Sequence, residues 1–224
     1  MGVDEHKETD DVSGAARAAA EPVDEEDHPG DDRGAAEPEA EALSPPPPRI
    51  AELANASIRF VSARYGVELD FSPETLSFVD QWVRDARAEV GRRPEIADVV
   101  QSAAGAYLGE VIRRTFGGSW RISEDYADFR LCLSTVYCAF NPIGMVREAL
   151  ILDAADGWHG NFELDPGERD AAEQRLAALP HVEEDEFFAP STRFDVVSIL
   201  VEALRSAMEG QGLSDVRFGL EDYR

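Results

Sequence analysis

Six residues of this chain combine reactive or ligand-holding side chains with a spacing that groups them: Tyr107, Glu110, Arg114, Trp120, Trp158 and His159. Tyr107, Glu110 and Arg114 fall at i, i+3 and i+7 of one apolar-periodic run. A helix would therefore place phenol, carboxylate and guanidinium along one edge. Two arrangements fit that edge. Glu110 is a buried acid or ligand-holding carboxylate beside a phenol, with Trp120 closing a pocket at the helix end. Otherwise Glu110 pairs with Arg114 on a solvated edge while Tyr107 joins the core. Trp158 and His159 sit between Gly157 and Gly160, where a loop either presents an imidazole for binding or is anchored by its Trp.

Other chemistries lack their residues. Gly117-Gly118 follows a helix and precedes a strand, so it is no phosphate-cradling loop, which needs glycines at a strand-to-helix turn. The histidines are His6, His28, His159 and His181, without metal-ligand spacing, so no metal and no cofactor is expected. Glu183-Glu184-Asp185-Glu186 reads as a solvated acidic face, because a calcium loop alternates its oxygens around a glycine bend. Asp125 and Asp128 would form a carboxylate group with Glu110 only if the fold brought them together. No G-x-S-x-G elbow occurs. Cys138 with His159 would make a nucleophilic dyad, but a cysteine on an apolar strand reads first as core. Cys132 and Cys138 have neither C-x-x-C spacing nor a secretory leader ahead of them, which suggests reduced thiols in a cytoplasmic protein.

Charge narrows the partners. Residues 1–48 hold 15 acids against Lys7, Arg17 and Arg33, a net charge of −12, and the rest of the chain carries −13 of the total −25. Nucleic acid, which needs a basic face, is not expected. No long apolar run suggests a membrane span. A basic protein partner suits such a chain. Lys7 is the sole lysine amid abundant arginine and alanine, a bias typical of a GC-rich bacterial coding sequence.

The elements that position the six residues follow from periodicity. Residues 1–48 are nearly devoid of large apolar side chains, so they read as a disordered acidic tail closed by the stiff Pro45–Pro48 spacer. One α+β domain is expected over 49–224. A first helix runs from Ile50 to Tyr65 and stops at Gly66. Val67–Phe71 alternates like a short extended segment, and Ser72-Pro73 reads as the cap of a second helix through Leu76, Val79 and Val83. The third helix, from Glu95 to Phe116, carries apolar residues from Ile96 and Val99 to Ile112 on a buried face and ends at Gly117-Gly118. Gly105 and Gly109 within it form a smooth strip for close packing. The period then changes to two, with strands at Trp120–Ile122, Phe129–Leu133 and Val136–Phe140, the last two fusing into one if Ser134-Thr135 does not turn. Asn141-Pro142 opens a helix, Asn161–Leu164 is a short strand, and Asp165-Pro166 starts another helix that Pro180 stops. Ser191 caps a final helix, and Val216–Leu220 makes a last strand. The sum is about six helices packed on a small antiparallel sheet, without regular βαβ alternation.

The series Gly105-Ala106-Tyr107-Leu108-Gly109-Glu110-Val111, then Gly117-Gly118-Ser119-Trp120, then Phe140-Asn141-Pro142 resembles a set of small uncharacterised bacterial domains with a YLGE…GG-W…P pattern. The likeness covers roughly residues 96–152. It implies a cytosolic α+β domain, transfers no catalytic residue, and points to accessory or immunity-type roles. Together these readings describe a non-enzymatic acidic interaction domain. The alternative is a small enzyme or ligand-binding domain built around Tyr107, Glu110 and Trp120.

Overall fold

The computed structural model describes residues 43–178 and 182–223, all within one compact unit that begins at Glu41. The expected disorder of residues 1–42 and the expected stop at Pro180 lie outside the described residues. Seven helices occur among the described residues: α1 Pro48–Tyr65, α2 Leu76–Val90, α3 Glu95–Phe116, α4 Pro142–Ile151, α5 Arg169–Ala177, α6 Glu184–Phe187 and α7 Pro190–Gly210. Four strands, β1 Ser119–Arg121, β2 Arg130–Cys132, β3 Cys138–Phe140 and β4 Glu163–Leu164, form one antiparallel sheet in chain order. The architecture is α+β.

Helix α3 is the centre. It is buried without interruption from Val100 to Arg113 and packs against α1, α2, α4 and α7. Two glycines make that density possible. A Cβ on Gly105 would lie 2.4 Å from the Ile143 Cα, and one on Gly109 would lie 2.2 Å from Cζ2 of Trp120. The smooth strip therefore receives the first turn of α4 and the indole of β1. At its N-terminal end α3 departs from the expected buried face, because Val99 is exposed.

Alternation sorts the sheet into two faces. Trp120, Leu131 and Phe140 align across β1, β2 and β3 and face the helices in the main core. Cys132, Ala139 and Glu163 align on the opposite face, where Cys132 and Ala139 pack with Tyr137, Phe218 and Tyr223. Ser134-Thr135 does turn the chain, and Tyr223 clamps that turn. Its hydroxyl donates to the Leu133 carbonyl at 2.6 Å and accepts from the Cys138 N–H at 3.0 Å.

Four local expectations are corrected. Val67–Phe71 forms no strand; it ends at Phe71 with φ 64°, where Tyr107 takes up its backbone N–H. Ser72 makes no side-chain cap, and Pro73–Thr75 is a 3₁₀ turn leading into α2. Ser191 is inside α7 rather than its cap. Its N–H and hydroxyl donate to Asp80 of α2 at 3.0 and 2.5 Å, so a carboxylate from a neighbouring helix neutralises that terminus. Val216–Leu220 is irregular rather than strand, with the Phe218 N–H donating to the Ser134 carbonyl.

Alanine at Gly105 gains about 1 kcal/mol of helix propensity but meets backbone that cannot yield. Gly105→Ala is therefore expected to destabilise the protein by about 1–3 kcal/mol, read as a lowered urea midpoint with an unchanged slope.

Candidate functional site

Glu110 is 1 % exposed, so the solvated-edge expectation is corrected. The partner that saturates it is Arg113, one residue short of the expected Arg114. Arg113 Nε donates to Oε1 at 2.8 Å and Nη2 to Oε2 at 2.9 Å, a bidentate fork. The Trp120 indole N–H adds a third bond, to Oε1 at 2.8 Å. Arg114 Nε stands 3.9 Å from Oε2. The remaining donor group of Arg113, Nη1, gives a hydrogen bond to the Ser44 carbonyl at 2.8 Å. Residues that were expected to belong to the tail thus complete the shell of a buried charge. Pro47 next to them has φ −51° and ψ 143°, the polyproline geometry expected of the spacer. Helix α1 then begins at Pro48 itself.

Tyr107 is buried and equally engaged. It accepts from the Phe71 N–H at 2.8 Å and lies 2.7 Å from Thr75 Oγ1. Because Thr75 gives its own proton to the Ser72 carbonyl, Tyr107 is the donor in that contact. Burial raises the phenol above its ordinary pKa. Its ring stacks on Phe71 at 4.9 Å, and the Arg114 guanidinium covers the other end of the stack, 3.7 Å from the Phe71 centroid. Tyr107, Glu110, Arg114 and Trp120 are therefore brought together, but as a closed network. A carboxylate with three short bonds and a phenol with two, both buried, present no open face to a substrate.

Trp158 and His159 lie elsewhere. Asn141, fully buried, ties their loop to the sheet. Its side chain caps α4 through the Ile143 N–H and donates to the Tyr126 and Ala127 carbonyls, while its backbone N–H donates to the His159 carbonyl at 2.9 Å. Trp158 is half-buried under the Arg147 guanidinium, 4.6 Å from its centroid. His159 is exposed with φ 51°, the left-handed region that a non-glycine residue adopts only when its surroundings impose it.

Beside His159 opens a cleft of about 360 Å³, walled by Arg130 and Glu163 of the sheet, loop residues 154–161 and Arg169. Glu148 of α4 lines its base and was not foreseen. It is 4 % exposed and accepts from Arg193 Nη2 of α7 at 2.8 Å. Burial pushes the carboxyl above its ordinary pKa, and Arg193 opposes that shift. Arg193 is held over the rings of Phe187 and Phe188, and its Nε finds no hydrogen-bond partner among the described residues. Gly160 fits only because it lacks a side chain, since a Cβ there would lie 2.7 Å from a Glu148 oxygen. One signal for Glu148 was present: it is three residues after Met145 and four before Leu152, on the apolar stripe of its helix.

The cysteine dyad fails on burial. Desolvation lifts the Cys132 thiol to about 11 and Cys138, which is wholly enclosed, higher still. Neither is a thiolate at neutral pH. Among the described residues no group of three His, Cys, Asp or Glu could hold a metal ion, and no helix is long and apolar enough to cross a membrane.

A further surface feature, on α1 and α2, is aromatic. Phe60 of α1 is 47 % exposed and Phe78 of α2 is 37 % exposed. Phe60 stacks on the half-buried Trp82 with ring centroids 5.5 Å apart. Phe78 and Trp82 are one helical turn apart, so α1 and α2 share an aromatic strip at the edge of the core, against which Trp82 also packs.

A family model described as "Family of unknown function (DUF6278)" matches residues 26–133, just under half of the chain. The matched span takes in α1, α2, α3, β1 and β2, hence the Glu110 network and the aromatic strip, and stops short of Glu148 and His159. No curated protein and no solved structure matches the chain.

A structural role for Glu110 separates it from its neighbour. Glu110→Ala leaves Arg113 buried without its carboxylate and is expected to cost about 3–5 kcal/mol. Arg114→Ala, which removes an exposed and longer contact, is expected to cost at most about 1 kcal/mol. Chemical denaturation of the two variants distinguishes them.

Proposed function

We propose that the folded part of this chain is a non-enzymatic interaction module that docks a basic protein partner through Phe60, Phe78 and Trp82. The observation that carries the reading is the exposed Phe60–Trp82 stack. In the other face-to-face stacks one ring is buried, namely Tyr107, Phe194 or Tyr223, whereas neither Phe60 nor Trp82 is fully withdrawn from water. Exposed aromatic clusters serve as anchors in interfaces, where their burial supplies most of the affinity. The net charge of −25 supplies the second half of the reading. It steers a cationic partner toward the strip and opposes acidic ones. An immunity-type or accessory role, in which an acidic domain blocks a basic effector, is the specific form we favour, and a cytoplasmic setting fits it. An enzyme around Tyr107, Glu110 and Trp120 is the less favoured reading, because Glu110 is engaged by Arg113 and Trp120 and Tyr107 by Phe71 and Thr75.

A photo-crosslinking phenylalanine analogue placed at Phe60 tests the reading in the native cell. The expected result is one basic polypeptide, captured in a salt-sensitive manner. Its affinity for the purified full chain should fall at least about 30-fold on Trp82→Ser, the loss of one anchor residue. No crosslinked polypeptide, or one bound equally well by the variant, would refute the docking face.

A further inference from the structure

The cleft beside His159 has the attributes of a built site, and it is independent of the aromatic strip. Its loop is tied to the scaffold by one hydrogen bond, folded on itself by another, and packed closely on α4. His159 is bonded through its carbonyl to Asn141, and the Trp158 N–H donates to Ala155 at 3.0 Å. At Gly144 there is no room for a side chain, since a Cβ would lie 2.4 Å from the Trp158 carbonyl oxygen. A loop held in this way keeps its wall in place before any ligand arrives, so little ordering cost falls on binding.

The lining sets the class of ligand. Glu148 at the base is already paired with Arg193. The residues that then define the charge of the walls are Arg130 and Arg169 on one side of the account and Asp156 and Glu163 on the other. Arg130 is half-buried, and its Nη1 is fixed by the carbonyls of Ala127 and Phe129 at 3.0 and 2.7 Å. A simple anion would meet the two carboxylates, and a simple cation the two guanidiniums. An apolar ligand would find little beyond Phe162 and alanines. What complements two charges of each sign is a small molecule carrying both. A volume of about 360 Å³ is at the lower end of small-molecule sites, which run from roughly 300 to 1,000 Å³.

We propose that this cleft binds a free α-amino acid, with its carboxylate toward Arg130 and Arg169 and its ammonium toward Glu163 and Asp156. The polar rim that recognises the zwitterion leaves the side chain of the ligand directed to the mouth, where His159 stands.

The test uses the full chain, isotopically labelled, titrated with glycine, L-alanine, L-glutamine and L-arginine at millimolar concentrations and read by amide NMR. At least one is expected to shift the Gly157 and Gly160 amides saturably. Its N-acetyl and carboxamide derivatives should fail to do so. Arg169→Ala and Glu163→Gln, both at exposed positions, should each weaken binding about tenfold, as expected for the loss of one charge-assisted hydrogen bond. Absence of any saturable shift overturns the proposal. So does binding that survives blocking of either charged group of the ligand, or that is unchanged in both variants.

Discussion

A carboxylate buried between a helix and a sheet constrains everything around it. Glu110 accepts three donors, two of them from an arginine fork, yet it sits where water does not reach. Removing an ion from water costs several kcal/mol, which only a complete set of short, well-aimed bonds offsets. Arg113 supplies two of those bonds from the next turn of α3, and Trp120 supplies the third from β1. The helix-to-strand turn at Gly117-Gly118, with φ of 77° and 147°, is what brings the indole back across the helix. The absence of a side chain at Gly109 then lets it lie flat against α3. Ser44 completes the arginine, so the chain entering α1 is fastened to the same centre.

Once β1 is fixed, the rest of the sheet follows by pairing. Trp120, Leu131 and Phe140 face inward as one row, which forces Arg130, Cys132, Ala139 and Glu163 outward. The outer face cannot stay bare, because Cys132 and Ala139 are apolar. The C-terminal segment with Tyr223 covers them, and the loop after α4 covers the other end, where Arg130 and Glu163 become the walls of the cleft. Among the described residues nothing covers Phe60 and Phe78 on the α1–α2 surface. Structure-building chemistry is thus concentrated at the centre, while the aromatic strip and the cleft lie at the surface.

Much of this was legible in the sequence, for identifiable reasons. Helix α3 announced itself by long apolar periodicity and a double-glycine stop, and α4 by Asn141-Pro142, whose side-chain cap is realised. The two glycines of α3 implied close packing. Less was legible where a tertiary partner replaced a local one. Ser191 has the sequence of a cap, but Asp80, 111 residues away, does the capping. Glu110 has Arg114 at the favoured i+4 spacing, but burial selects Arg113, which can reach inward with its whole fork. Glu148 and Arg193 are 45 residues apart, and nothing local links them. Phe78 and Trp82 share the apolar pattern of α2 with its core residues, and periodicity places a residue on a stripe without saying where that stripe ends.

The claim on which the assignment turns is that the Glu110 network is closed and structural. Hydrogen exchange of the Trp120 indole N–H, followed by NMR in the native state, tests it most directly. A closed network predicts exchange only through global unfolding, with a protection free energy equal to that from chemical denaturation. Exchange at a much lower free energy would mean that the network opens on its own, as a ligand-admitting pocket would, and would return Tyr107, Glu110 and Trp120 to the functional site.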